Sequence, residues 1–203
     1  MFDSSIPAST LVTDLKDEID IAPSIPNRAY IMWLNSLEQL LYREIIKEQK
    51  CITVKSPINN CIDLSEIPIG SDESRIRFED IHAVYADNTQ LIKSTLSSGA
   101  IFPNTFYKTG NNMEFNTDES VSLLKIIYFV KPALKTVNEN DAIGEGNVML
   151  PVEFIDLATA KIRGEAYKTV NEDSLAAKWI NDYNILLENF KAWMADKAPE
   201  FGI

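Results

Sequence analysis

Histidine occurs once among the 203 residues, at position 82, so a Ser-His-Asp or Cys-His arrangement would have to be built on that residue alone. It lies in the strand-like run Phe78-Glu79-Asp80-Ile81-His82-Ala83-Val84-Tyr85, where a single imidazole is expected to pack or hydrogen-bond rather than catalyse. Cysteine is nearly as scarce. Cys51 and Cys61 cannot complete a zinc site by themselves, and nothing points to an oxidising compartment, so both are expected as buried or half-buried free thiols. The sequence has no Gly-x-x-x-x-Gly-Lys phosphate loop and no His-Glu-x-x-His. Gly144-Glu145-Gly146-Asn147 does not precede the strand-to-helix turn that a dinucleotide fingerprint needs. Adjacent carboxylates such as Glu79 and Asp80, or Glu172 and Asp173, suit turns and caps better than acid–base work. No catalytic residue, cofactor or metal site is therefore expected, and an enzyme is disfavoured by the parts it would lack.

Long apolar runs are missing too. The longest, Val121–Val130, is broken by Ser122 and Lys125, far short of a membrane span. The start, Met-Phe-Asp-Ser-Ser, has no basic region followed by an apolar core, so no signal peptide is expected. Positive charge is also short: 19 basic against 30 acidic side chains give −11. Residues 1–49, 50–149 and 150–203 contribute −4, −4 and −3, so the acidity is distributed and not held in a tail. Such a chain is expected to be repelled by phosphate backbones, which argues against a nucleic-acid-binding module. The same acidity suits a surface past which DNA slides without sticking.

What is present is core-forming material, 45% hydrophobic and 9% aromatic, enough for a large domain or a core with an insertion. The stretch Leu150–Met194 reads as two helices joined by Val170-Asn171-Glu172-Asp173-Ser174, with Pro151 at a first helical position and Asn171 or Asp173 as the second helix's N-cap. Leu175, Trp179, Tyr183, Leu186, Phe190 and Trp193 form one apolar stripe at spacings of four and three. Such a hairpin needs a third helix, and the sequence predicts one from Pro26 or Asn27 to about Gln49. Its stripe is Tyr30, Trp33, Leu34, Leu37, Leu40, Leu41 and Ile45, with Arg28, Glu38, Arg43, Glu44, Lys47 and Glu48 on other faces. The bundle core is thus expected around Trp33, Leu37, Trp179, Tyr183, Phe190 and Trp193.

The first eight residues are expected loose, and a short helix follows through Leu11, Leu15 and Ile19, capped by Ser9 or Thr10. Its carboxylates Asp14, Asp17, Glu18 and Asp20 lack the spacing and central glycine of a calcium loop, so they read as a solvated face. From Lys50 to Val148 β-branched runs alternate with turn clusters: Cys51–Lys55, Ser74–Phe78, Ile81–Ala86, Ile101–Lys108, Met113–Phe115 and Val121–Val130. Thr109-Gly110-Asn111-Asn112 is a hairpin turn, Asn88-Thr89-Gln90-Leu91 leads into a further short strand, and the last run, apolar on both faces, is expected as a central covered strand. Residues 136–147 read as an exposed mobile loop. The predicted fold is α+β: helices from both ends (1–49 and 149–203) form a small antiparallel bundle, and 50–148 is a β-rich insertion, a sandwich or half-barrel. Beyond it the tail cannot continue a helix through Pro199. It forms either a frayed end or an arm in which Pro199, Phe201 and Ile203 dock onto a partner.

The helix Pro26-Asn27-Arg28-Ala29-Tyr30-Ile31-Met32-Trp33-Leu34 onward, then strands, then Leu150-Pro151-Val152-Glu153-Phe154, Arg163-Gly164-Glu165-Ala166-Tyr167 and Asp173-Ser174-Leu175-Ala176-Ala177-Lys178-Trp179 follow one another in an order that resembles the head–tail connector, or neck adaptor, proteins of tailed double-stranded DNA bacteriophages. The likeness spans most of the chain, although the strand insertion is larger than in many connectors. It implies a virion component assembled in the host cytoplasm: a homo-oligomeric ring, dodecameric by resemblance, between the portal protein and tail or neck proteins. DNA would pass through its lumen without specific binding, and no membrane is involved. Ala160, Gly164 and Ala166 would then be helix-contact positions, within the subunit or between neighbours. Two other readings stay open: a different phage structural protein (tail completion or decoration), and a cytoplasmic enzyme or regulator whose site the motifs do not disclose.

Overall fold

In a computed structural model of the protein, residues 4–19, 24–55, 57, 60–67, 76–94, 102–117 and 120–201 are described, with backbone alone for Glu66 and residues 198–201. The architecture is mixed α+β. The chain divides into two compact units, residues 48–130 and the combination of 1–47 with 131–203.

The strand unit is continuous in sequence. Its strands are β1 (Gln49–Lys55), β2 (Cys61–Asp63), β3 (Ile81–Ala86), β4 (Thr89–Lys93), β5 (Thr105–Thr109), β6 (Asn112–Asn116) and β7 (Leu123–Phe129). They form one curled half-barrel sheet in the order β1-β7-β3-β4-β5-β6-β2, antiparallel except for the parallel pair β4–β5. Of the two forms the sequence left open, this is the half-barrel. Alternation puts Leu124, Ile126 and Tyr128 of β7 in the core with Val84, Leu91, Phe106, Met113 and Phe115. Lys125 is exposed and Leu123, Ile127 and Phe129 are half-covered, so β7 is an interior strand buried on one face, not on both as expected. Gly110 turns the β5–β6 hairpin at φ +62°, a conformation that costs glycine nothing. Asp87 does the same between β3 and β4 at φ +52°, and its carboxylate accepts from the Leu123 N–H at 2.9 Å. The expected strand at Ser74–Phe78 does not form where it is described: Ile76 and Phe78 are buried from irregular backbone and a 3-10 turn. Ser74, Arg75 and Ile101 lie outside the described residues.

The helical unit is assembled from both ends of the chain. Helices α1 (Ala8–Glu18) and α2 (Asn27–Leu41) come from one end, α3 (Ile155–Thr169) and α4 (Asp173–Phe201) from the other. Leu11, Val12 and Leu15 of α1, Tyr30, Leu34, Leu37 and Leu41 of α2, Leu157 and Ile162 of α3, and Phe190 and Met194 of α4 share one core. Helix α2 passes directly into a π-helical turn, Tyr42–Ile46, that ends at Lys47 in the left-handed region. The wider turn inserts one residue into the helical phase. Ile46 is therefore fully buried, while Ile45 of the expected stripe is only half-buried against the same core. Leu40 of the expected stripe is exposed.

Helix α3 begins four residues after Pro151, which instead precedes a 3-10 turn, Val152–Phe154. Between α3 and α4 the chain makes a Schellman stop: Asn171 sits at φ +62°, the Glu172 N–H donates to the Tyr167 carbonyl at 3.0 Å and the Asn171 N–H to Lys168 at 3.2 Å. Asn171 thus ends one helix rather than capping the next. Helix α4 continues through Pro199 to Phe201, against the expected break. A proline removes one main-chain bond to the preceding turn, and here it does so two residues from the helix end, where few later bonds depend on it.

Residues 131–148, which the sequence assigned to the insertion, belong with the helices. They are tied down rather than loose. Val137 bridges Ile143, and the Gly144 N–H donates to the Thr136 carbonyl at 2.9 Å. Residues 4–8 are held in turn: the Ala8 N–H donates to the Gly146 carbonyl at 2.9 Å, and the Val148 N–H to Ile6 at 2.8 Å.

Candidate interaction surface

The helical unit carries a cleft of about 620 Å³ between α1, α3 and α4. Helical spacing explains its lining. Leu11 and Leu15 of α1 turn inward at i, i+4, and Asp14 and Glu18, at the same spacing, edge the cleft beside them. Helix α3 contributes Ile155, Asp156, Thr159, Ala160 and Arg163; helix α4 contributes Trp179, Asp182, Ile185 and Leu186. The lining is apolar below and acidic at the edges. Arg163 is its one cation: its guanidinium carbon lies 4.4 Å from the centre of the Trp179 ring, and it forms an ion pair with Glu18. The Arg163 Nε–H is buried without an acceptor. Asp14, Glu18 and Asp156 are exposed, and Ile185 keeps 54% of its surface in solvent.

Below the surface, α2 grips the segment 131–149 through a buried polar network. Glu38 is fully buried and its Oε2 takes the ammonium of Lys135, itself buried; Glu38 Oε1 accepts the Met149 N–H at 2.7 Å. Asn35 pairs with the Lys135 main chain in both directions, at 2.9 and 3.0 Å. Burial raises the Glu38 carboxyl above its ordinary pKa, opposed by Lys135 and the Met149 N–H. The sequence reading placed Glu38 on a face other than the apolar stripe. The corrective signal was available, because Glu38 follows Leu34 by four and precedes Leu41 by three, which places it on the buried stripe.

The first turn of α2 is capped from a distance. The Asp141 carboxylate accepts the Asn27 N–H at 2.7 Å and the Arg28 N–H at 3.0 Å, and the Asn27 side chain donates back to the Asp141 carbonyl at 2.7 Å. Those bonds hold the Asp141 carboxyl below its ordinary pKa. Pro26, the residue before α2, has no side-chain donor or acceptor to offer.

Of the residues expected in the bundle core, Leu37, Tyr183 and Phe190 are buried and Trp33, Trp179 and Trp193 half-buried against the same core. Phe190 and Trp193 form an aromatic cluster with Phe154, at centroid separations of 5.0 Å and 5.3 Å from it. Leu175 is exposed and Ala176 takes its place in the core, while Trp179 serves as the platform for Arg163. Ala160, Gly164 and Ala166 are all buried. A Cβ on Gly164 would lie 3.2 Å from Ile180 Cγ1, so this glycine sets the approach of α3 to α4 within the subunit. Pro199 and Phe201 lie on the last turn of α4, and Asp20 and Ile203 lie outside the described residues. His82 is exposed at a bulge in β3 with its ring 4.9 Å from that of Phe129. Cys51 is exposed, Cys61 half-buried, and both are free. Among the described residues no group of three metal-ligating side chains converges, and no helix is long and apolar enough to cross a membrane.

No protein-family model matches the chain, and neither does any curated protein sequence.

Proposed function

We propose that this protein is a non-enzymatic structural component of a tailed-phage virion, a head–tail adaptor that forms a ring between portal and tail, extends the DNA channel and docks the tail. The observation that carries this reading is the arrangement of parts. Helices from the two ends of the chain share one core, and a contiguous strand unit is set into the chain between them. A helical body with a strand insertion is the order of elements that the resemblance to connectors rests on. The distributed charge of −11 adds support, since carboxylates around a channel keep a phosphate backbone from adhering. In a ring each subunit presents one face to a different face of the next.

The test is to image the purified protein by negative stain and measure its mass by light scattering, alone and mixed with portal protein from the same phage. Closed rings, or rings formed on the portal, are expected; a monomer that never binds portal overturns the reading. Adjacency of the gene to portal and major capsid genes is the companion observation. The size of the strand unit, 83 residues, favours as a second reading a tail-completion or decoration subunit, and location within the virion separates the two.

A further inference from the structure

We propose that the cleft between α1, α3 and α4 is the docking site for a basic amphipathic segment of a partner protein, one that inserts a bulky apolar side chain and sets lysines or arginines on either side of it. This inference stands on the cleft itself and does not depend on the connector reading. The cleft's size, about 620 Å³, lies within the range of pockets that enclose a ligand, and it accommodates one or two side chains of a docked segment. Ile155, Trp179 and Leu186, each half-buried, offer it apolar area, and Ile185, largely exposed on the same rim, gains cover when the segment binds.

Charge decides the partner. Four carboxylates from three helices, Asp14, Glu18, Asp156 and Asp182, edge the cleft, against the single cation Arg163. Arg163 is already engaged by Glu18 and by the Trp179 ring, so it does not neutralise the other three. An acidic rim around an apolar floor complements lysines and arginines flanking an apolar anchor and repels acidic chains. That argues against a second copy as occupant, because residues 1–49, 50–149 and 150–203 are each net negative.

The probe is a fluorescein-labelled amphipathic peptide of leucine and lysine, with its leucine–glutamate counterpart as control, followed by fluorescence anisotropy. Saturable one-to-one binding of the basic peptide is expected, weakened about tenfold or more by Asp156→Lys combined with Asp182→Lys. The same charge change at Glu139→Lys with Glu145→Lys, on the loop before α3, should leave it nearly unchanged. Equal weakening by both pairs reduces the effect to general attraction toward an acidic protein and overturns the proposal. So does the absence of saturable binding, or equal affinity for the acidic peptide. Self-association of the unmodified protein that disappears in the Asp156→Lys/Asp182→Lys variant gives the cleft to a second copy and also overturns it. Amide chemical-shift mapping on the unmodified protein needs no variant to fold: shifts confined to Leu11, Thr159, Ile185 and their neighbours support the site, and shifts centred elsewhere sink it.

Discussion

Glu38 and Lys135 stand 97 residues apart in the sequence and meet as an ion pair with neither side chain reaching solvent. Burying two charges is costly unless each finds close and complete partners. Glu38 has two, Lys135 and the Met149 N–H, and through them α2 is bonded to the segment that leads into α3.

Removing one member strands the other. Glu38→Leu or Lys135→Met alone is expected to lower stability by about 3–5 kcal/mol, and the double variant by clearly less than the sum. Glu38→Gln, which can still accept from Met149, should fall between the native protein and Glu38→Leu. Urea denaturation of the native protein, Glu38→Leu, Lys135→Met and their double variant measures the coupling; a sum that adds without remainder would mean that the pair is energetically independent.

Asp141 should make the helical unit acid-sensitive. Its folded pKa is held below the ordinary 3.8, chiefly by the Asn27 N–H and also by that of Arg28. The stability it contributes is therefore present above the unfolded value and is lost as pH falls through the folded one. Glu38 runs the other way: its pKa is raised by burial, so its linked stability is full below the unfolded value of 4.5 and declines as pH rises through the folded value. Asp141→Asn should flatten the fall in melting temperature below pH 3.8, and Glu38→Gln should leave that acid limb in place. Thermal melts from pH 2 to pH 7, followed by circular dichroism, separate the two.

Gly164 discriminates by size. Alanine there gains helix propensity of up to about 1 kcal/mol and presses Ile180, which is 43% exposed and has room to shift, so Gly164→Ala should lie within about 1 kcal/mol of the native protein. Gly164→Leu has to push α4 away and should cost about 1–3 kcal/mol or more. Chemical denaturation gives both numbers.

Deleting residues 199–203 should leave the melting temperature nearly unchanged and weaken assembly with the portal or tail partner. Truncation removes the last turn of α4 and none of Tyr183, Phe190 or Met194, which hold that helix to the core. Unaltered assembly in a reconstitution assay would dismiss the tail as a docking element.

Where period and turn chemistry act locally, the sequence was a sound guide. The stripe of α2, the aromatic run of α4, the glycine turn between β5 and β6 and the strand β3 all follow from neighbours within a few residues. What escaped is long-range. Glu38 looks solvent-facing until Lys135 is known to lie against it, and Asp141 looks like a loop residue until the bare first turn of α2 is brought to it. The π-helical turn at Tyr42–Ile46 changes helical phase with no proline or glycine to announce it. The cleft was equally hidden, since α1 lies far along the chain from α3 and α4 and only packing brings Asp14 to Asp156 and Asp182 around one apolar floor.

The split of the helical unit between residues 1–47 and 131–203 has a consequence during synthesis. The strand unit, contiguous in the chain, is complete once residue 130 has left the ribosome. The first two helices emerge earlier and must wait for α3 and α4. At an elongation rate of roughly 5–20 residues per second, their oily flanks stay uncovered for several seconds or longer. A nascent chain stalled before residue 155 should accordingly recruit chaperones that a released chain does not.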